Sequence, residues 1–211
     1  MISGLYAITP DETNTDVLLG KVEAALQGGV SVLQYRNKLA SHKLQTQQAR
    51  AILPICRQYR VPFIINDSVK LCMKLDADGV HIGADDGNIA EVRARMGLDK
   101  IIGASCYNRF DLALQAQHSG ADYVAFGACF ASSTKPTAPV ASLDLFKQAQ
   151  AQLNIPAVAI GGITLENASL AIEAGASLIA VINAIFNASD VKFAAQQFSQ
   201  LFNDKNLKTS S

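Results

Sequence analysis

The chain has 211 residues, 49% of them hydrophobic, with 18 Lys+Arg against 18 Asp+Glu. This composition places the chain among ordinary globular proteins rather than disordered tails, and zero formal net charge with 17% charged residues gives no sequence-wide support for nucleic-acid or polybasic membrane binding. At this length about 70% of the unfolded chain's surface can be buried, enough for one self-sufficient domain without disulfides or structural metal.

The opening Met1-Ile2-Ser3-Gly4-Leu5 has no basic region followed by a secretory core, and no apolar run is long enough to cross a bilayer, so a cytoplasmic protein is expected. Cys56, Cys72, Cys106 and Cys129 are widely spaced, which reads as buried thiols rather than a zinc site.

Short apolar runs predict eight strands in chain order. They are Leu5-Tyr6-Ala7-Ile8, Val30-Ser31-Val32-Leu33, Phe63-Ile64-Ile65, Val80-His81-Ile82, Ile101-Ile102-Gly103-Ala104, Tyr123-Val124-Ala125-Phe126, Ala157-Val158-Ala159-Ile160 and Leu178-Ile179-Ala180-Val181-Ile182. Helices are expected at about 14–27, 41–59, 68–75, 89–96, 108–119, 142–152, 165–174 and 189–203. Strands that are apolar throughout suit a parallel sheet covered on both faces, and the intervening helices supply the crossovers.

The pattern predicts a single-domain (β/α)8 TIM barrel over 1–211, its active site at the carboxyl ends of the strands. An open doubly wound sheet is the competing architecture. Glycines before strands, as in Gly28-Gly29, Asp78-Gly79, Gly120 and Gly175, read as helix exits with left-handed backbone. The stretch from Ser132 to Pro139 reads as a loop at the active site rather than a domain boundary.

Polar residues follow the apolar runs. After the second run, alternation projects Gln34, Arg36 and Lys38 to one side, either for anion binding or as a solvated loop. Asn66 and Asp67 either cap the next helix or face a ligand, where Asp67 offers a hard oxygen suited to magnesium. Barrel closure can bring Asp86 to the same end, while His81 reads as a packed, hydrogen-bonded histidine or a base. Ser105, Ser132, Thr134 and Lys135 offer hydroxyls and a cation on successive loops, or simply a polar surface. Gly161-Gly162 and Val181-Ile182-Asn183 occupy the late loops, where such barrels commonly cradle phosphate.

The ordered set Gln34-Tyr35-Arg36-Asn37-Lys38, Asn66-Asp67, Gly79-Val80-His81-Ile82-Gly83 with Asp86, Gly103-Ala104-Ser105, Ser132-Ser133-Thr134-Lys135 and Gly161-Gly162-Ile163 resembles the thiamine-phosphate synthase (thiamine-phosphate pyrophosphorylase) family over nearly the whole chain. The resemblance implies transfer of a hydroxymethylpyrimidine group from its diphosphate to the nitrogen of hydroxyethylthiazole phosphate, giving thiamine phosphate and diphosphate. By matching positions it implies Gln34, Tyr35, Arg36, Asn37, Lys38, Asn66, Ser105 and Lys135 around the pyrimidine diphosphate, with Arg36, Lys135 and Ser105 catalytic. It further implies Mg2+ on Asp67 and Asp86, and Ser132, Ser133, Thr134, Gly162, Ile182 and Asn183 around the thiazole phosphate. A homodimer is implied as well.

Ala128 and Ala131 stand where prolines are common in that family, Ser132 where a threonine is, and Ala180 and Asn183 where serines are. A thiazole tautomerase-like enzyme and a noncatalytic phosphate-ligand sensor are the rival readings. Neither has the same need for a diphosphate and magnesium set.

Overall fold

The computed structural model describes residues 2–83, 87–131 and 141–208. Eight strands, β1 (Gly4–Ile8), β2 (Val32–Tyr35), β3 (Phe63–Asn66), β4 (Gly79–Ile82), β5 (Ile101–Tyr107), β6 (Tyr123–Gly127), β7 (Ala157–Ile160) and β8 (Leu178–Val181), alternate with helices. The helices are α1 (Thr15–Gln27), α2 (His42–Tyr59), α3 (Val69–Leu75), α4 (Ile89–Met96), α5 (Phe110–His118), α6 (Asp144–Gln152), α7 (Ala168–Glu173), α8 (Asn183–Phe186) and α9 (Val191–Lys208). The strands pair in parallel in chain order, and β8 returns to β1, so the sheet closes into a (β/α)8 barrel rather than an open sheet.

Several helix starts are fixed by short polar side chains: Asn14, Ser41, Ser68 and Asn88 each accept a backbone N–H from the first turn they cap. At the other end of the barrel, an acidic residue just ahead of a strand ties down its neighbour. Asp78 accepts from the Phe63 amide at 2.8 Å, and Asp122 accepts from the Ile102 amide at 2.7 Å while pairing with Arg93.

Apolar side chains separate into two layers. Tyr6, Ile8, Val32, Ile64, Tyr123, Ala125, Val158, Leu178 and Ala180 form the barrel's interior plug, and a larger cluster fills the space between sheet and helices. Interior positions filled by side chains make the barrel a packed core whose mouth, not its axis, is open to ligands.

The structure departs from the sequence expectation in several places, among them a β5 that continues to Tyr107 and a last helix that continues to Lys208. β2 begins at Val32 rather than Val30 and runs on through Gln34 and Tyr35, because Gln34 pairs in register with Ile8 and Ile64. Left-handed backbone does occur at Gly29, Gly120 and Gly175, but α3 leaves through Asp76 (φ 54°) instead of Gly79. Gly79 serves close packing, since a Cβ there would lie 2.2 Å from the Ile101 carbonyl oxygen. Finally, the four-residue α8 follows β8 directly. Among the described residues, no helix is long and apolar enough to cross a membrane.

Candidate active site at the carboxyl ends of the strands

The mouth is built first by β1 and β2. Thr9, fully buried just past β1, exchanges two hydrogen bonds with the Arg36 backbone, its Oγ1 accepting from N–H and donating to the carbonyl, both at 2.9 Å. Asp11 accepts from the Lys38 amide at 2.6 Å and lies 3.5 Å from Arg36 Nη1. A half-buried pair at that length holds the guanidinium only loosely. Arg36 is therefore oriented by its backbone and open to stronger acceptors.

Alternation sends the intervening residues elsewhere. Tyr35 lies in the outer layer, where its hydroxyl donates to Gln48 Oε1 at 2.8 Å, and Asn37 is buried, donating to the Glu12 carbonyl and to Gln48. Both side chains thus brace the β2 exit against α2. Asn37 Oδ1 has no hydrogen-bond partner among the described residues.

From β3, Asn66 donates to Asp67 Oδ2 at 2.6 Å, and that carboxylate lies 4.0 Å from Lys38 Nζ. Asp67 has left-handed backbone (φ 58°), held by its amide donating to the His81 carbonyl at 2.8 Å. Ser68, not Asn66 or Asp67, caps α3. The capping alternative for these two side chains therefore falls, and both stand at the mouth beside Lys38.

Beneath them, five polar side chains from five strands meet inside the barrel. Gln34 Nε2 donates to the Tyr6 hydroxyl at 2.8 Å, the Tyr6 and Tyr123 hydroxyls are 2.7 Å apart, and Tyr123 lies 2.9 Å from His81 Nδ1. His81 Nε2 is 2.9 Å from Ser105 Oγ. Register explains the meeting: His81, Gly103 and Tyr123 sit side by side across β4, β5 and β6. A Cβ on Gly103 would lie 2.0 Å from Tyr123 Cζ, so only glycine lets the phenol cross β5 to the imidazole. Burial pushes the His81 pKa down to about 4 and raises both phenols well above their ordinary value, leaving the whole set neutral. His81 is thus the packed, hydrogen-bonded histidine of the two alternatives.

On the opposite side of the mouth, Gly161 (φ 95°) and Gly162 (φ 67°) follow β7. A Cβ on Gly162 would lie 2.4 Å from the Phe130 carbonyl oxygen, so this loop packs backbone against backbone. Asn167 straps it, donating to the Gly162 carbonyl and accepting from the Thr164 amide, both at 2.9 Å. Ile182 caps α8 and exposed Asn183 begins it, so the backbone turns from strand to helix where unpaired N–H groups are expected.

Asp86, Ser132, Ser133, Thr134 and Lys135 lie outside the described residues. The sequence reading missed Tyr6, Thr9, Asp11, Tyr123 and Asn167. Only the inward alternation of β1 and β6 could have signalled the two tyrosines. All four cysteines are free and buried, with Cys56 and Cys106 pushed up to about 12 and Cys72 and Cys129 to about 11 by desolvation, so they are inert thiols.

No group of three or more His, Cys, Asp or Glu able to hold a metal occurs among the described residues. Magnesium does not require one, because it commonly uses one or two carboxylates and completes its shell with water and substrate phosphate. The exposed Asp67 carboxylate at the mouth fits that donor chemistry.

Comparison with known proteins agrees with this geometry. The family model described as thiamine monophosphate synthase matches residues 5–185. A thiamine-phosphate synthase from Methylobacillus flagellatus is 59% identical over 202 residues, covering 96% of each chain. One from Nitrosomonas eutropha is 50% identical over 201 residues, covering 95% of each. The structure of thiamine phosphate pyrophosphorylase from Pyrococcus furiosus superposes with a TM-score of 0.85 at 32% identity, over 95% of this chain and 96% of that one. With a family model spanning most of the barrel and relatives this similar over nearly their whole length, the chain belongs to the thiamine monophosphate synthase family.

Proposed function

We propose that this enzyme couples 4-amino-2-methyl-5-(diphosphooxymethyl)pyrimidine to 4-methyl-5-(2-phosphooxyethyl)thiazole, forming thiamine phosphate and releasing diphosphate. What supports the reading is the meeting of Lys38, Asn66 and Asp67 where β2 and β3 end, above the buried set that runs through His81 to Ser105, with the glycine loop after β7 across the barrel. Two phosphorylated ligands require such a divided site, with a charged side for the diphosphate and a backbone-lined side for the monophosphate.

In this reading the C–O bond to diphosphate breaks first, and the thiazole nitrogen captures the resulting pyrimidinylmethyl cation. Arg36 and Lys38, with Lys135, receive the leaving group's charge, and Ser105 donates to it. Asn66 orients Asp67, and Asp67 with Asp86 would hold Mg2+, which would neutralise diphosphate charge when bound. Gly162, Ile182 and Asn183, with Ser132, Ser133 and Thr134, hold the thiazole phosphate. Placing the nitrogen against the cation favours capture over attack by water. No protein nucleophile is needed, in keeping with four inert thiols and a neutral histidine. The same reading includes a homodimer acting in the cytoplasm.

Purified protein supplied with Mg2+ and both substrates should yield thiamine phosphate, identified by chromatography. Binding of both ligands without product would favour a phosphate-ligand sensor. Isomerisation of a thiazole carboxylate phosphate without coupling would favour a tautomerase-like enzyme.

A further inference from the structure

We propose that Tyr6, Tyr123 and His81 are positioning residues: they form one directed hydrogen-bond chain that starts at Gln34, crosses the barrel and fixes the Ser105 hydroxyl as a donor toward the ligand. The proposal rests on the reading above only in assigning that ligand as the diphosphate.

The direction follows from counting protons. Each phenol carries one proton and can donate one hydrogen bond. Gln34 presents Nε2, a donor, to the Tyr6 oxygen at 2.8 Å. Tyr6 must therefore send its own proton onward, to the Tyr123 oxygen 2.7 Å away. Tyr123 in turn donates to His81 Nδ1 at 2.9 Å, which makes Nδ1 the acceptor of the neutral ring. The ring proton then sits on Nε2 and is donated to Ser105 Oγ at 2.9 Å. Ser105 accepts from His81 and keeps its own proton for another acceptor.

Running the chain the other way with Gln34 unchanged would leave the buried Tyr6 hydroxyl proton facing a second donor. Buried donors without acceptors are strongly disfavoured. Tyr6 and Tyr123 are each 2% exposed, so water does not readily supply the missing partner. The packing holds the same arrangement, with the two phenol rings edge to face and the imidazole stacked against Tyr123.

The chemical consequence is selective. Diphosphate oxygens accept hydrogen bonds, and a donor already aimed at them needs no reorganisation as charge develops on the leaving group. A Ser105 that donated to His81 instead would present lone pairs to the same oxygens. Gln34, at the far end, keeps its carbonyl oxygen as an acceptor, so the two ends of the chain offer a ligand opposite polarity.

The test reads the histidine tautomer in the full-length protein by nitrogen NMR after 15N-histidine labelling. The sequence holds three histidines, and loss of one signal set in His81→Asn assigns His81. The expected native state is protonated at Nε2 with Nδ1 an acceptor, whereas protonation at Nδ1 would overturn the proposal. Gln34→Glu places a carboxylate acceptor beside Tyr6 and should reverse the chain, moving the ring proton to Nδ1. An unchanged Nε2–H signal in that variant would also refute it.

Tyr123→Phe preserves the ring and should lower kcat about tenfold with little change in KM for the pyrimidine diphosphate, as expected when a transition-state donor is misdirected. An unchanged kcat together with a native His81 signal would refute the positioning role. The tautomer is read without substrate, so the two claims can fail separately. A wild-type protein without turnover but with the expected tautomer would sink the synthase reading alone, and turnover with the opposite tautomer would sink the chain alone.

Discussion

Gly103→Ala tests whether the interior of this barrel is built around the phenol of Tyr123. The added methyl would stand 2.0 Å from Cζ, 2.3 Å from the hydroxyl and 2.4 Å from Cε2 of that ring. Non-bonded carbons settle at about 3.5 Å or more, so the ring must retreat by roughly 1.5 Å. The Tyr123 hydroxyl bonds Tyr6 at 2.7 Å and His81 at 2.9 Å, and a retreat of that size takes at least one bond out of range. Overpacking costs about 1–3 kcal/mol and a buried polar group left unpaired a similar amount, against about 0.5–1 kcal/mol regained by replacing glycine in a strand. The net loss is about 3 kcal/mol, which for a chain of this size lowers Tm by roughly 6–12 °C. Gly20→Ala is the control: it lies inside α1 with nothing within 4 Å of where the added methyl would stand, so it should be neutral or slightly stabilising. Thermal denaturation and turnover should fall together in Gly103→Ala. A melting temperature and rate equal to the native protein's would refute the close-approach argument.

Three further outcomes are expected. Gly162→Ala forces an L side chain into left-handed backbone (φ 67°) against the Phe130 and Ala131 carbonyls, and should raise KM for the thiazole phosphate at least tenfold while sparing KM for the pyrimidine diphosphate; equal effects on both substrates would contradict the divided site. Asp67→Ala should reduce magnesium-supported turnover and move the Mg2+ titration to higher concentration, whereas an unchanged titration would remove Asp67 from the metal site. His81, with its pKa lowered by burial to about 4, stays neutral in the fold, while the unfolded chain binds a proton near 6.5. Its contribution is therefore fully present above about pH 6.5 and is lost as pH falls toward 4, a loss of about 3 kcal/mol. Denaturant melts of the native protein and His81→Gln across that window should converge at low pH, and parallel curves would refute the assignment.

The barrel was legible because its strands are short, apolar on both faces and separated by helices of ordinary length. Alternation within Gln34-Tyr35-Arg36-Asn37-Lys38 already divided the side proposed to face the ligand from the side that braces α2. Tyr35 and Asn37 entered the expected site through positional resemblance, which carries no information about which way a side chain points. The interior chain was not legible, since Tyr6 and Tyr123 are 117 positions apart and each looks like one more apolar residue in its strand. Their meeting depends on strand register and on the missing side chain of Gly103. Thr9, Asp11 and Asn167 escaped for a related reason: they act by holding backbone, which leaves no motif. With four residues, α8 is too short to produce helical periodicity.

Phosphorus NMR of the native protein with Mg2+ and both phosphorylated substrates tests the assigned reaction most directly. The ester diphosphate signals should disappear as free diphosphate and thiamine phosphate grow in at a ratio of about one to one, and neither substrate alone should give thiamine phosphate. A folded protein that binds both substrates yet leaves every phosphorus signal unchanged would contradict the coupling reaction.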